Sequence, residues 1–258
     1  MKIKLTMEEW DPKTITINDL TIFTSDRIAW DPEFFRQFIL AKPSPDIPWG
    51  LPVDTSPNAK YDSFHKETNE PMNPSLIRHL EKILDVTYTL DADGSWWFRS
   101  PNDNHWMPVG GYDYTYHRWR TLYLLLKNEL RPGMDQWIHI VNPENDLPLN
   151  KQREIAQFIA HLINAEYKVL LFTNSFVIIL ELSILMALTR KSKGVQKILE
   201  KQPDERKENL LDYHRVAAYD MRDGKLRPSK VLIDYIAVES IDRTIQDLNK
   251  IRFDLLQH

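Results

Sequence analysis

The stretch QWIHIVNPENDLPLNKQREIAQFIAHLINAEYKVLLFTNS, residues 136–175, places one long amphipathic segment between two short apolar runs. The apolar runs, QWIHIV (136–141) and YKVLLFT (167–173), have the length and composition of buried strands. Between them, residues 149–164 repeat apolar side chains at the spacing of one helix face. A strand, a helix and a second strand at this spacing predict parallel strands joined by a right-handed crossover, and hence an α/β fold.

The apolar segment VLLFTNSFVIILELSILMAL, residues 169–188, is about as long as a bilayer span. Asn174 and Glu181 lie inside it, and an unpaired acid in the middle of a membrane is costly. The segment divides instead into a strand ending near Thr173 and a helix beginning at Asn174 or Ser175. We therefore expect a buried strand–helix unit and no membrane partner.

The flanking segments predict further strands and helices. Residues 86–100 and 210–234 alternate like hairpins that turn at Asp93–Gly94 and Asp223–Gly224. Residues 41–73, rich in proline, serine and asparagine, predict a long loop. The other predicted strands occupy residues 2–7, 14–25 and 105–109, and the other predicted helices begin at Asp31–Pro32 or occupy residues 74–85, 112–130, 193–201 and 241–257.

Composition narrows the classes of function. The 258 residues carry a formal net charge of -4, so no overall basic field attracts nucleic acid. The chain has no cysteine, which excludes disulfides, thiolate zinc sites and a thiol nucleophile. Its first residues have no apolar signal core, and a cytoplasmic location is expected. The 8 histidines show no ligand spacing, so no metal site and no cofactor are predicted.

Four segments occur in the order of the motifs of a known family. They are LTIFTSDRIAWDP (20–32), PVGG (108–111), IVNPENDLP (140–148) and LFTNS (171–175). Their order and spacing, over nearly the whole chain, resemble the RecF/SMC-like branch of the ABC-type P-loop ATPases. That branch includes the overcoming-lysogenization-defect-type ATPases of bacterial defence.

The resemblance implies an ABC-type ATPase head, with a mainly parallel core sheet flanked by helices and a small antiparallel β subdomain. It also implies that the chain, 1–258, is a single domain. Residues 1–40 would hold the first strands and the remnant of the phosphate loop. Residues 41–110 would form an insertion with hairpins, and 111–258 would hold the second nucleotide motif, the late hairpin and the last helix.

The resemblance implies a phosphate loop that is closed to nucleotide. In the family this loop is glycine-rich and ends Gly-Lys-Ser/Thr, so that backbone N–H groups and the lysine bind phosphates and the hydroxyl binds magnesium. Here Trp30 holds the lysine position and Asp31 the hydroxyl position, while the glycine positions hold Thr24, Arg27 and Ala29. A tryptophan hinders close backbone approach to a ligand, and a carboxylate repels phosphate.

The later motifs also lack the residues for their chemistry. The family's magnesium aspartate and catalytic glutamate correspond to Val141 and Asn142, whereas the glutamate two positions later persists as Glu144. The family's switch histidine corresponds to Asn174, and the signature serine corresponds to Val109. Valine cannot bind a metal, and asparagine cannot accept a proton at neutral pH.

These losses predict a pseudo-ATPase, in which the fold is kept and ATP turnover is lost. By family analogy it would be a structural or regulatory partner of itself or of a working ATPase, in DNA repair or phage defence. Two other functions stay open: a divergent ATPase that still binds nucleotide, and a DNA-binding module. Glu144 either makes a turn contact or belongs to a site, and Asn142 and Asn174 either join their loops or bind a neutral ligand.

Clustered aromatic and arginine residues supply a candidate interface. Its residues are Trp96, Trp97, Trp106, Tyr112, Tyr114, Arg118 and Trp119. Three interpretations stay open: the core of a small antiparallel sheet, the anchor of a protein interface, or a surface on which nucleic-acid bases stack.

Overall fold

The computed structural model describes residues 2–4, 14–25, 73–90, 96–99, 105, 107–108, 119, 122–123, 126–127, 130, 132–133, 137–145, 147–222, 225–239, 241–243 and 246. The strands are β1 (Lys2–Lys4), β2 (Thr14–Thr16), β3 (Leu20–Ser25), β4 (Thr87–Leu90), β5 (Trp96–Arg99), β6 (Met107–Pro108), β7 (Trp137–Val141), β8 (Lys168–Phe172), β9 (Val216–Arg222), β10 (Lys225–Leu232) and β11 (Tyr235–Ala237). The helices are α1 (Pro74–Leu84), α2 (Leu149–Asn164), α3 (Phe176–Ala187), α4 (Lys193–Glu200) and α5 (Asp204–Glu208), with a 3-10 turn at Tyr213–Arg215.

A six-stranded sheet in the order β11-β10-β9-β3-β8-β7 forms the centre of the fold. The neighbours β9, β3, β8 and β7 run parallel, whereas β10 and β11 are added antiparallel. Separately, β4, β5 and β6 form a three-stranded antiparallel sheet, and β1 pairs with β2. The prediction of an α/β fold with a mostly parallel sheet flanked by helices is therefore confirmed.

The central strand–helix–strand unit follows the sequence pattern closely. Helix α2 spans the predicted residues 149–164, and α3 begins after Ser175, whose side-chain oxygen accepts a hydrogen bond from the N–H of Ile178. Residues 169–188 thus divide into a strand and a helix, as expected. Every helix among the described residues is too short or too polar to cross a membrane.

Some element boundaries differ from the prediction. Residues 14–25, expected as one strand, form β2 and β3 because the chain turns at Asn18 and Asp19, where the Thr21 hydroxyl bonds the backbone N–H and C=O of Asn18 at 3.1 and 3.2 Å. The short elements β11 and α5 were not predicted. The helix from Asp31–Pro32, residues 41–72, both predicted hairpin turns and most of 244–258 lie outside the described residues.

The two faces of the central sheet bury different side chains. One face packs aliphatic residues against α1, α2 and α3, with Ile138, Ile140 and Val169 among them. The opposite face is richer in aromatic residues. There Phe23 stacks on Phe172 and on Tyr219, with ring centroids 4.9 and 5.6 Å apart. Burial on both faces fixes the register of the parallel strands.

A buried ion cluster joins the helices on the first face. Glu181, in the middle of α3, is 2% exposed. Its carboxylate accepts hydrogen bonds from Arg206 of α5, at 2.6 to 2.9 Å, and from Gln157 of α2, at 2.8 Å. Arg153 of α2 lies 3.4 Å away. These partners explain how an acid is tolerated inside so apolar a segment.

Candidate functional site

Three of the four motif segments, those at the ends of β3, β7 and β8, meet at one edge of the central sheet. Strand β8 lies between β3 and β7, and Phe172 is in register with Phe23 on one side and with Val141 on the other. Because these strands are parallel, their carboxyl ends coincide, and open α/β sheets bind ligands at such edges. Ser25, Asn142 and Asn174 therefore follow three neighbouring strands to the same edge.

The turn after β7 brings Glu144 back over the end of β8. Asn142 adopts the left-handed conformation with φ 45°, which asparagine tolerates better than most residues. Its N–H donates to the carbonyl of Phe172 at 2.8 Å. The Glu144 carboxylate then accepts hydrogen bonds from the Thr173 hydroxyl and from the N–H of Asn174, both at 2.8 Å. Glu144 thus ties the loop after β7 to the loop after β8.

Asn174 continues this chain of contacts to β3. Its side-chain oxygen accepts a hydrogen bond from the N–H of Ser25 at 2.9 Å. In the family pattern, Asn174 holds the position of the switch histidine, and Ser25 lies where the phosphate loop begins. The N–H at that point is therefore bonded to a side chain of the protein.

Ser175 and Thr173 hold the start of α3 against α2. The Ser175 hydroxyl donates to the side chain of Gln152 at 2.7 Å, and the N–H of Ser175 donates to the Thr173 hydroxyl at 3.0 Å. The N–H of Thr173 donates to the carbonyl of Phe23 at 3.0 Å. The same loop thus bonds β3, the Glu144 turn and both helices, and this network fixes its conformation.

A second polar group lies on the β9 side of the edge and was missed by the sequence analysis. The hydroxyl of Thr24 donates to the buried carboxylate of Asp220 at 2.9 Å. Arg222 lies 3.2 Å from Asp220 and 2.5 Å from Glu239. The hydrogen bond from Arg222 lowers the pKa of Glu239 below its usual value. The sequence signal for this group is the pair of charged residues, Asp220 and Arg222, at alternate positions of the otherwise apolar strand β9.

Within the described residues, no group of three or more histidine or acidic side chains is placed to hold a metal ion. His139, on β7, is buried, and desolvation lowers its pKa to about 4, so its ring is neutral at physiological pH. A neutral histidine inside a core strand is typical of packing.

The candidate interface residues have different environments. Trp96 and Trp97 lie on β5, and the side chain of Trp97 is half-buried. The side chain of Trp119 is buried in the main core with Leu122. The rest of the predicted site set lies outside the described residues: Arg27, Trp30, Asp31, Trp106, Tyr112, Tyr114 and Arg118.

The chain matches no protein-family model and no curated protein. The residues at the sheet edge are therefore the basis on which a function is inferred.

Proposed function

We propose that this protein is a catalytically inactive, ATPase-like head of the ABC type that acts as a structural or regulatory partner in a protein complex. The proposal rests on one observation, the chain of hydrogen bonds that crosses the sheet edge from β3 to the turn after β7. Ser25 donates to Asn174, and Asn174 and Thr173 donate to Glu144. The backbone and side-chain groups that would face a nucleotide are hydrogen-bonded to one another instead.

Binding of a triphosphate needs backbone N–H donors and a cation close to the phosphates. At this edge the N–H of Ser25 and the N–H of Asn174 both donate to side chains. The Glu144 carboxylate adds a negative charge beside them, which repels phosphate. Val141 supplies no side-chain ligand for magnesium, and Asn142 supplies no proton acceptor. The arrangement supports a scaffold more than a site of phosphoryl transfer.

The proposed biological setting is DNA repair or defence against phage, and it follows from the family analogy alone. The partner in that setting would be another copy of the chain or an ATPase whose motifs are intact. A regulatory role predicts that the chain alters the hydrolysis rate of such an ATPase without hydrolysing ATP itself.

Titration with ATP and magnesium, followed by thermal unfolding, tests the loss of nucleotide binding. Ligand at a hundred times its Kd would stabilise the fold by about 2.7 kcal/mol, which a melting curve resolves easily. We expect no shift for the wild type and none for Trp30→Lys, which restores only the cation of the loop. An ADP titration and a hydrolysis assay on the same samples should also be negative.

A wild-type shift that Asn174→Ala or Glu144→Gln changes would contradict the proposal and would favour a divergent ATPase. Binding to DNA that falls steeply with salt and is lost in Arg118→Ala would favour the DNA-binding module.

A further inference from the structure

The outward face of α3 is apolar along its whole length. The side chains of α3 that are not buried are Phe176, Val177, Leu180, Ile184 and Ala187. Phe176 is 43% exposed and Leu180 is 42% exposed. At 3.6 residues per turn these five positions fall within an arc of about 100°. They form one continuous stripe without a charged or polar side chain, which we name the α3 stripe.

The neighbouring helix shows how such a face is normally built. Helix α2 packs in the same layer, and its less buried positions are mostly polar: Lys151, Gln152, Arg153, Glu154, Gln157, His161 and Asn164. A helix that is apolar all round is normally buried on every side. The α3 stripe therefore has the composition of a contact surface and lies where a partner can reach it.

The sizes of the side chains along the α3 stripe are complementary to those of the α3 stripe in a second copy of the chain. Place two α3 helices antiparallel, with the two-fold axis near the midpoint between Leu180 and Ile184. The large Phe176 then faces the small Ala187 of the second copy, and Leu180 faces Ile184. Large side chains opposite small ones fill a helix interface without gaps. A parallel pair would instead place phenylalanine on phenylalanine at one end and leave a gap at the alanine end.

The charges at the two ends favour the same orientation. At the amino end, the Glu144 carboxylate bonds the N–H of Asn174, two residues before the stripe. At the carboxyl end, Arg190 and Lys191 follow the helix, and Arg190 is ion-paired with Asp234. Because Arg190 is balanced by Asp234, Lys191 is the cation that matters here. Antiparallel pairing brings it towards the Glu144 carboxylate of the other copy.

Leu149 enlarges this surface. It is 65% exposed and lies in the first turn of α2, whose Gln152 is bonded to Ser175 just before the stripe. We propose that the α3 stripe binds the α3 stripe of a second copy, antiparallel, in a symmetric dimer. In such a two-fold interface each patch binds its own copy. The inference does not depend on the loss of ATP turnover.

Sedimentation of the full chain over a range of concentrations tests the dimer. We expect a reversible dimer for the wild type and a monomer for Leu180→Glu at the concentrations where the wild type is dimeric, because the two-fold axis introduces the charge twice. Ile198→Glu is the matched control, since Ile198 is an exposed apolar residue on α4, outside the stripe. Circular dichroism and thermal melting check that both variants are folded.

A wild-type monomer throughout, or a dimer that Leu180→Glu leaves intact, would overturn the proposal. Flotation of the same proteins with phospholipid vesicles is measured in parallel with sedimentation. A monomer that floats with vesicles, and does not when Leu180 is changed, would assign the stripe to a lipid surface instead.

Cysteine cross-linking tests the orientation, and the chain's lack of cysteine makes the background clean. Phe176→Cys and Ala187→Cys are prepared separately, mixed at low concentration, concentrated and oxidised. We expect a disulfide between the two variants in the mixture and none in either alone. In the antiparallel pair two copies of residue 176 lie about 18 Å apart along the helix axis, whereas a disulfide needs Cα atoms within about 7 Å. Cross-linking of each variant with itself but not with the other would show a parallel pair and contradict the proposed arrangement.

Discussion

Two glutamates in different regions of the molecule show what a motif position does and does not indicate. Glu144 stands at the sheet edge, in a segment that resembles a nucleotide-binding motif, and it bonds the neutral donors of Thr173 and Asn174. Glu181 lies on the buried side of α3, outside any motif, and it is ion-paired with Arg206. We expect the burial of each glutamate and the charge of its partner, more than its place in a motif, to decide how much it contributes to the free energy of unfolding.

The largest expected effect tests that ranking at Glu181. Replacing Arg206 with alanine leaves the Glu181 carboxylate without its main cation. Breaking a buried ion pair from one side costs about 3 to 5 kcal/mol. Urea unfolding followed by circular dichroism measures the change in the free energy of unfolding.

Arg153 supplies the matched control for this variant. It contacts the same carboxylate at 3.4 Å, but its side chain is 52% exposed. A half-exposed ion pair is worth about 1 kcal/mol or less. Equal losses for Arg153→Ala and Arg206→Ala would show that burial does not set the difference.

The next effect is an acid sensitivity of the core that arises from His139. The pKa of His139 in the folded chain is about 4, below the ordinary value of 6.5. The unfolded chain therefore binds the proton first as the pH falls. The contribution of His139 to the free energy of unfolding should be fully present above pH 6.5, and about 3 kcal/mol of it should be lost between pH 6.5 and pH 4.

Unfolding free energies of the wild type and His139→Gln, measured at half-unit steps across that range, check this prediction. Glutamine does not titrate, so the slope between pH 6.5 and 4 should become shallower. An identical slope in both proteins would assign the acid sensitivity to other groups.

The smallest expected effect concerns the sheet edge. Glu144→Gln keeps the shape but leaves one oxygen and a weaker acceptor for the two donors of Thr173 and Asn174. Loss of a hydrogen bond to a partly exposed charged group costs about 1 to 2 kcal/mol. Thr173→Val removes one of the two bonds to Glu144 and also the hydroxyl that accepts the N–H of Ser175, so it should likewise cost about 1 to 2 kcal/mol. Urea unfolding of the two variants beside Arg206→Ala places the two regions on one scale, and a larger loss at Glu144 would reverse the comparison.

Much of the central unit followed from local patterns. The 149–164 helix, the strands on either side and the start of α3 at Ser175 could be predicted because each depends on periodicity and capping within a few residues. Residues 14–25 were predicted less well. Their β-branched composition reads as one strand, but the Asn18 turn, with its bonds to Thr21, divides it.

The candidate site could be predicted only in part. The sequence placed Asn142, Glu144 and Asn174 after neighbouring strands, but it could not show that Glu144 bonds Thr173 and Asn174 rather than the start of α2. For Trp119 the sequence left a core role and an interface role open, and the structure places its side chain in the core. An aromatic residue has the same local pattern in a core as on an interface, so only its neighbours in space distinguish the two.

By itself the sequence determined the strand–helix–strand–helix succession from β7 to α3 and the absence of cysteine chemistry, because these are properties of local runs and of composition. Only the tertiary structure decided that β8 enters between β7 and β3, that Asp220 meets Thr24, and that the apolar face of α3 points outward. Each of these depends on contacts between residues far apart in the chain, and no local pattern records which distant segment will supply the partner.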